Sequence, residues 1–432
     1  MAWKVNGLMS QRQAFVELAQ CPERNMAALC REYGITRPTG YKWLERGLTG
    51  ALREQSRRPH SSPQQTDAVM EAKVLELRRA HPTWGGRKLR ARLQQEAAQA
   101  APAGAGSQSA TAGAAAAAPA VADCSAAAVA VAAVAVPAAS TITAILRRNE
   151  LLDPAASARH TAFVRFAMEK PNQLWQMDFK GYFLLGDDSY VHPLTVLDDC
   201  SRYLLNLGAC GNEKRATVQT QLTALFRTCG MPERMLMDNG APWGYGPGKD
   251  SERLRPYYTK LTVWLLRLGI RVSHGRVRHP QTQGKDERLH RTLNEDLIQR
   301  APPEAFANLA VCQRTFDAWR NEYNTLRPHE ALNLFPPATR YCHSDRCMPD
   351  VLTPIGYPDH MTVRIVDKGG RFAFGNRQWR IGKAFATLPV GLAAFGSAGC
   401  YNVHFAQHHL ANIDLTTQTL PIQCVNHVSE HL

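Results

Sequence analysis

The chain lacks any apolar run long enough to cross a bilayer. Its longest uninterrupted Ala/Val stretch, Ala126 to Val136, has 11 residues, whereas a spanning helix needs about 20. A Cys-x-x-Cys pair is missing too. The 11 cysteines are odd in number and scattered, so neither a disulfide framework nor an orderly zinc site is expected. Cys342, His343 and Cys347 form the one close cluster and read as ordinary side chains near a loop. No secretory leader and no sustained heptad repeat is legible, which points to an intracellular (cytoplasmic) chain with reduced thiols and no coiled coil. Acidic residues are also short: 37 Asp/Glu stand against 51 Lys/Arg, a formal net charge of +14. That balance suits a polyanion, with nucleic acid ahead of a merely soluble basic protein.

At 432 residues the chain predicts roughly three domains of about 150 residues each. Residues 1–58 read as a helix-turn-helix. QRQAFVELAQ and NMAALCREYG are short amphipathic helices, Gly34 supplies a turn, and RPTGYKWLERG is a third helix. Its expected inner face is Tyr41 and Leu44. Arg37, Lys42 and Arg46 are the candidates for DNA contact, since such a helix enters a major groove; a plain three-helix bundle with basic decoration is the alternative. Residues 59–155 read as a second helical unit, interrupted over 97–139 by an Ala-rich, aromatic-free segment of low complexity. STITAILRRNELL resumes the helix, with Ser140 as the expected N-cap.

From 156 to 345 the texture is mixed α/β. In NQLWQMDFKG, Trp175, Met177 and Phe179 alternate with Gln176, Asp178 and Lys180, the period of a strand. SYVHPLTVLDD, SRYLLNLGAC, ERMLMD and IRVSHG are further strands. ATVQTQLTALFRTCG, ended by Gly230, and YTKLTVWLLRLG are helices. The order β-β-β-α-β-α-β-α suits a mixed sheet with helices packed on it. Residues 346–432 predict a small β module, with turn signals at Lys368-Gly369-Gly370 and Gly375-Asn376.

Three carboxylates stand out. Asp178 lies on a strand's polar face, Asp238 ends an apolar strand, and Glu287 shares a polar helix face with His290, Arg291 and Asn294. Taken singly, Asp178 is a solvated strand residue and Asp238 a turn former before Asn239-Gly240. Asp286 is a rival to Glu287, about 100° round the helix. Asp187-Asp188 and Asp198-Asp199 are rivals as well: the first reads as a hairpin tip, the second as a turn before Ser201-Arg202 that can lie near the site. Gathered at ~4 Å under an effective dielectric near 20, each like-charged pair costs on the order of 4 kcal/mol. Such a trio therefore calls for hard divalent cations.

WQMDF, DNGAPWG and HPQTQGKDERLHRTL together resemble the acidic motifs of the DDE transposases and retroviral-type integrases. The resemblance is to bacterial insertion-sequence transposases with an integrase catalytic core, and VWLLRLGI, HPLTVLDDCSRY and YNTLRPHEAL share it. It implies an RNase H-like core between N-terminal all-α helix-turn-helix units and the C-terminal β module. It implies Asp178, Asp238 and Glu287 as catalytic metal ligands for two Mg²⁺ ions, or Mn²⁺, about 3.5–4 Å apart. Water would cut the element's end, and the freed 3′-OH would attack target DNA without a covalent protein intermediate. Lys180, Lys285 and Arg288 would hold phosphates, Gly284 would let backbone approach the DNA, and the synaptic complex would be a homo-oligomer on the element's terminal inverted repeats. Trp243 either stacks on a base or packs inside. Two departures stand out: a longer stretch between Asp238 and Glu287, assigned to a loop over 244–256, and helix-turn-helix units where a His/Cys zinc module would be. A catalytically silent DNA-binding regulator and a simple nuclease are the alternatives.

Overall fold

The computed structural model describes residues 8–50, 52–53, 65–100, 136–152, 168–238, 240–243, 258–274, 284–396, 398–416 and 423–424. Most of the Ala-rich segment, the 244–256 loop and the HPQTQ stretch lie outside the described residues. The chain divides into two compact units, Met1–Asp67 and Ala68–Leu432.

The first unit holds helices α1 (Leu8–Ala19), α2 (Met26–Glu32) and α3 (Arg37–Leu48). Asn25 caps α2, its Oδ1 accepting from the amides of Ala27 and Ala28. Gly34 takes φ +64° in the turn between α2 and α3. Phe15, Val16, Leu29, Cys30 and Trp43 form the core. Gly40 lets α3 come close: a Cβ there would lie 2.5 Å from Cys30 Sγ. The expected inner face of α3 is corrected here. Gly40 and Trp43 are buried, while Tyr41 is 51% exposed, because the interior is reached from Trp43, one position before Leu44.

The second unit begins with α4 (Ala68–Ala80), α5 (Gly86–Ala100) and α6 (Ala139–Arg148), packed around Val74, Trp84, Leu89, Ile142 and Leu146. Residue 138, an alanine with no side-chain cap bond, precedes α6; Ser140 lies within the helix rather than capping it. This trio is fastened to the remainder of the second unit by Thr83 donating to Asp296, and by His81 Nδ1 lying 3.1 Å from Glu322.

The central sheet comprises β1 (Leu174–Phe179), β2 (Phe183–Leu184), β3 (Tyr190–Asp198), β4 (Leu204–Cys210), β5 (Arg234–Met237) and β6 (Arg271–His274). β1 pairs antiparallel with β3 and parallel with β5. β4 flanks β3 antiparallel, and β6 flanks β5 in parallel. Helices α7 (Arg215–Cys229) and α8 (Lys260–Arg267) cover one face, closing on Trp175, Met177, Met235 and Met237. Helices α9 (Gly284–Leu293) and α10 (Leu309–Thr325) cover the other, where Leu289, Leu293, Phe316 and Trp319 meet Leu197, Leu204 and Leu207. Both faces are therefore roofed, as a sheet with a parallel half requires.

The C-terminal module is a sheet of β7 (Thr362–Ile365), β10 (Pro389–Ala394), β11 (Cys400–Phe405), β12 (His408–Asp414) and β13 (Gln423–Cys424), beside a hairpin of β8 (Arg371–Phe374) and β9 (Arg377–Arg380). Gly375 and Asn376 both take positive φ in that hairpin, as its two-residue turn demands. The module closes its core on Val263 and Leu266 of α8. No disulfide joins the described cysteines, and no described helix is long and apolar enough to cross a membrane.

Candidate active site

Register places two of the three acids together. Leu174 pairs with Arg234 and Gln176 with Leu236. Continuing that parallel register two residues sets Asp178 beside Asp238, at the strand ends where ligands gather in open α/β sheets. Asp178 Oδ1 accepts from the Phe179 amide at 2.8 Å, and Asp238 Oδ1 from the Gly240 amide at 3.0 Å. Burial pushes the Asp178 carboxyl up to about 7, helped by the charges of Asp238, Glu213 and Glu287. Burial also raises Asp238, with Glu213 adding to the rise, while the amide of Gly240 and His274 oppose it. His274 Nδ1 donates to the Asp238 carbonyl at 2.8 Å, which steadies the end of β5.

Asp178 is therefore no solvated strand residue. The face it shares with Gln176 is covered by α9, and Gln176 is itself fully buried. Trp243 is 1% exposed and stacks on Phe179 with ring centroids 5.4 Å apart. Of the two readings left open for it, packing is the one realised.

Glu287 is exposed on α9, close enough for its charge to bear on Asp178. Asp286, one position earlier, is 1% exposed, and neither of its oxygens has a hydrogen-bond partner among the described residues. Burial raises its pKa well above the carboxylate range, and Asp178 and Asp199 raise it further. Among the described residues no group of three His, Cys, Asp or Glu side chains is close enough to hold a metal ion. The hard oxygens of Asp178 and Asp238 fit a divalent cation; the trio itself does not meet.

Lys285 is turned inward. Its amine pairs with Asp199, and burial pulls its pKa down to about 8. Asp199 is fully buried and also accepts from Gln176 Nε2 at 2.7 Å and from the Met168 amide at 2.9 Å. The expected phosphate contact at Lys285 is thus replaced by an internal ion pair. Lys180 stays half-buried beside the acids, and its charge helps depress His290. Arg288 is exposed on α9. In the first unit Arg37 and Lys42 are exposed, while the Arg46 guanidinium lies 5.2 Å over the Trp43 ring, with Arg12 at 4.0 Å.

Sequence reasoning missed Glu213 and Thr195 as members of this site; Asp199 read as a turn residue near it, and His290 as a neighbour of Glu287 on one helix face. Glu213 lies 2.9 Å from His192 Nδ1 and bears on both aspartates. It follows a strand in a polar turn, with nothing in its spacing to single it out.

Four family matches, under three descriptions, lie along the chain. "Integrase core domain" matches residues 168–280 and again 268–337. "IS481 family transposase, C-terminal domain" matches 361–421, and "Homeodomain-like domain" matches 39–103. These matches make the chain similar to insertion-sequence transposases built on an integrase core. Among curated relatives, an uncharacterized 31.7 kDa protein of insertion element IS407 from Burkholderia multivorans is 26% identical over 176 residues, 39% of this chain and 54% of the relative. InsD of insertion element IS2E from Escherichia coli is 27% identical over 214 residues, 46% of this chain and 88% of the relative. The chain thus spans about half the length of the IS407 relative. The magnesium-bound HTLV-2 integrase catalytic core is 13% identical, covering 40% of this chain and 97% of that one, with a TM-score of 0.27.

Proposed function

We propose that this chain moves an insertion sequence. It binds the element's terminal inverted repeats, cuts a strand at each end, and joins the freed 3′-OH to target DNA. The observation that carries the reading is the placement of Asp178 and Asp238 at neighbouring parallel strand ends, each carboxyl raised by burial and by nearby negative charge. An arrangement that costs this much without a cation is a site for one. Asp178 and Asp238 would hold two magnesium ions, or manganese, with Glu287 as the proposed third ligand. Bound there, the metal would lower the pKa of the attacking oxygen and stabilise the leaving one.

The chain's own residues orient the DNA. Lys180, at the acids, neutralises a phosphate, and Arg288 does so from the exposed side of α9. In the first reaction water attacks the end phosphodiester and a 3′-OH departs. In the second that 3′-OH attacks a target phosphodiester and a target 3′-OH departs. No protein side chain is bonded to DNA in either.

We assign residues 1–58 to end recognition through Arg37, Lys42 and Arg46, residues 59–155 to a second helical unit, 156–345 to catalysis and 346–432 to a β module. Synapsis of two ends calls for a homo-oligomer, working in the bacterial cytoplasm on the nucleoid. A magnesium-dependent strand-transfer assay on element-end DNA tests the proposal. Joined product is expected. Binding without joining would make the chain a silent regulator, and cutting without joining a nuclease.

A further inference from the structure

Helix α9 carries the third acid of the proposed site, and one polar bridge ties it directly to the first. Thr195 lies opposite Asp178 in the β1–β3 ladder and is fully buried. Its Oγ1 donates to the Asp178 carbonyl at 3.0 Å and lies 2.8 Å from His290 Nε2 on α9. A hydroxyl has one proton. Since Thr195 gives it to the Asp178 carbonyl, His290 must donate from Nε2. Two hydrogen bonds through one buried oxygen thus link the backbone of the first acid to the helix of the third.

At about 100° per residue, the inward arc of α9 runs from Lys285 through Leu289, Leu293 and Asp286 to His290. Lys285, paired with Asp199, holds one margin. His290 holds the other, and Glu287 lies about 60° beyond it. Glu287 and His290 are also neighbours at i, i+3. A change in the seat of His290 therefore moves Glu287 relative to Asp178.

We infer that Thr195 and His290 are positioning residues, whose hydroxyl-to-imidazole bridge sets how far Glu287 reaches toward Asp178. Neither touches DNA or metal; both act through Glu287. The inference rests on the proposed roles of the acids, and its test keeps the two apart.

The full chain is compared as wild type, Thr195→Val and Thr195→Ser. Valine keeps the shape and removes both bonds; serine keeps the hydroxyl. Three quantities are read: joining rate at saturating end DNA, end affinity, and affinity for Mn²⁺ alone by electron paramagnetic resonance without DNA. Thr195→Val is expected to slow joining about tenfold to a hundredfold and to weaken Mn²⁺ binding about tenfold, with end affinity unchanged. Thr195→Ser is expected to restore most of both losses. A Thr195→Val protein that joins and binds Mn²⁺ like wild type overturns the inference and leaves the function standing. A wild type that neither joins nor binds Mn²⁺ overturns the function and the inference with it. Should circular dichroism show Thr195→Val unfolded, His290→Leu against His290→Gln makes the same comparison from the helix side. Equal behaviour of that pair and wild type overturns the bridge.

Discussion

The α7–α8 face of the central sheet and the acid end of its other face are built on opposite principles. Toward α7 and α8 the sheet presents Trp175, Met177, Met235 and Met237, all at or near zero exposure. Burying such side chains contributes roughly 1.5–3 kcal/mol each, with little demand on direction. Toward α9, the end of the sheet nearest the acids presents Gln176 and Thr195, with Asp199 just past β3 and Asp286 on α9 itself, all equally buried. There every polar atom needs a partner at the right angle, and an unmatched one costs about 1–3 kcal/mol. The apolar face holds the fold together, while the polar face spends stability to hold a geometry. That contrast is the physical signature of a site, because charges kept from water are strong only where they are aimed.

The comparison is sharpened most by removing the acids. Asp178→Asn, Asp238→Asn or Glu287→Gln is expected to lower joining by three orders of magnitude or more, about 4 kcal/mol of barrier, with end binding kept. Asp178→Asn should unfold at no lower denaturant concentration than wild type, since it relieves a charge pressed from water. Joining that survives in any one of the three would strike that acid from the set.

On the opposite face, Trp175→Ala is expected to cost about 3–5 kcal/mol in a urea titration. A loss under 1 kcal/mol would mean that the apolar face is not what secures the sheet.

Asp286→Leu should do the reverse, stabilising the chain by about 1–3 kcal/mol because a buried carboxyl without a partner gives way to an apolar side chain. Joining should persist. Its disappearance would show that Asp286, rather than Glu287, is the third acid.

The smallest expected effect is a slope. Burial holds His290 down to about 4 and His329 down to about 3. In the unfolded chain each takes up a proton near 6.5. Between those values the unfolded state binds more protons, so stability falls as pH drops from about 7 toward 4. His329→Gln should flatten that slope in denaturation curves taken at several pH values, and an unchanged slope would remove His329 from the account.

Much of the architecture was legible in the amino-acid pattern. The alternation of Trp175, Met177 and Phe179 announced β1, and the strand and helix order around it appears as expected save for the short, unforeseen β2. Gly230 ends α7, and Gly375-Asn376 turns the β8–β9 hairpin. Less was legible of the site. Asp199 read as a turn residue, yet it is the buried counter-ion of Lys285 across 86 positions of chain. Thr195 read as one more strand residue, and only its contact with His290, 95 positions away, gives it a role. Such pairings join segments whose spacing carries no period, so local pattern is silent about them. The face of α3 was misread for a related reason. Tyr41 and Trp43 are both large and amphipathic, and what turns Trp43 inward is the approach of α1 and α2 at Gly40.

The order of residues determined which segments coil or extend, because helical and strand periods are local, and it marked three acids as the candidates. Tertiary packing alone decided which neighbours they acquired. Asp178 and Asp238 lie side by side because a parallel register brings them there, and Asp286 is buried while Glu287 is exposed because α9 settles on the sheet with one arc inward. A rotation of that helix by a single residue would exchange the two acids, and burial of the Leu289–Leu293 stripe, on whose side Asp286 falls, is what sets the turn.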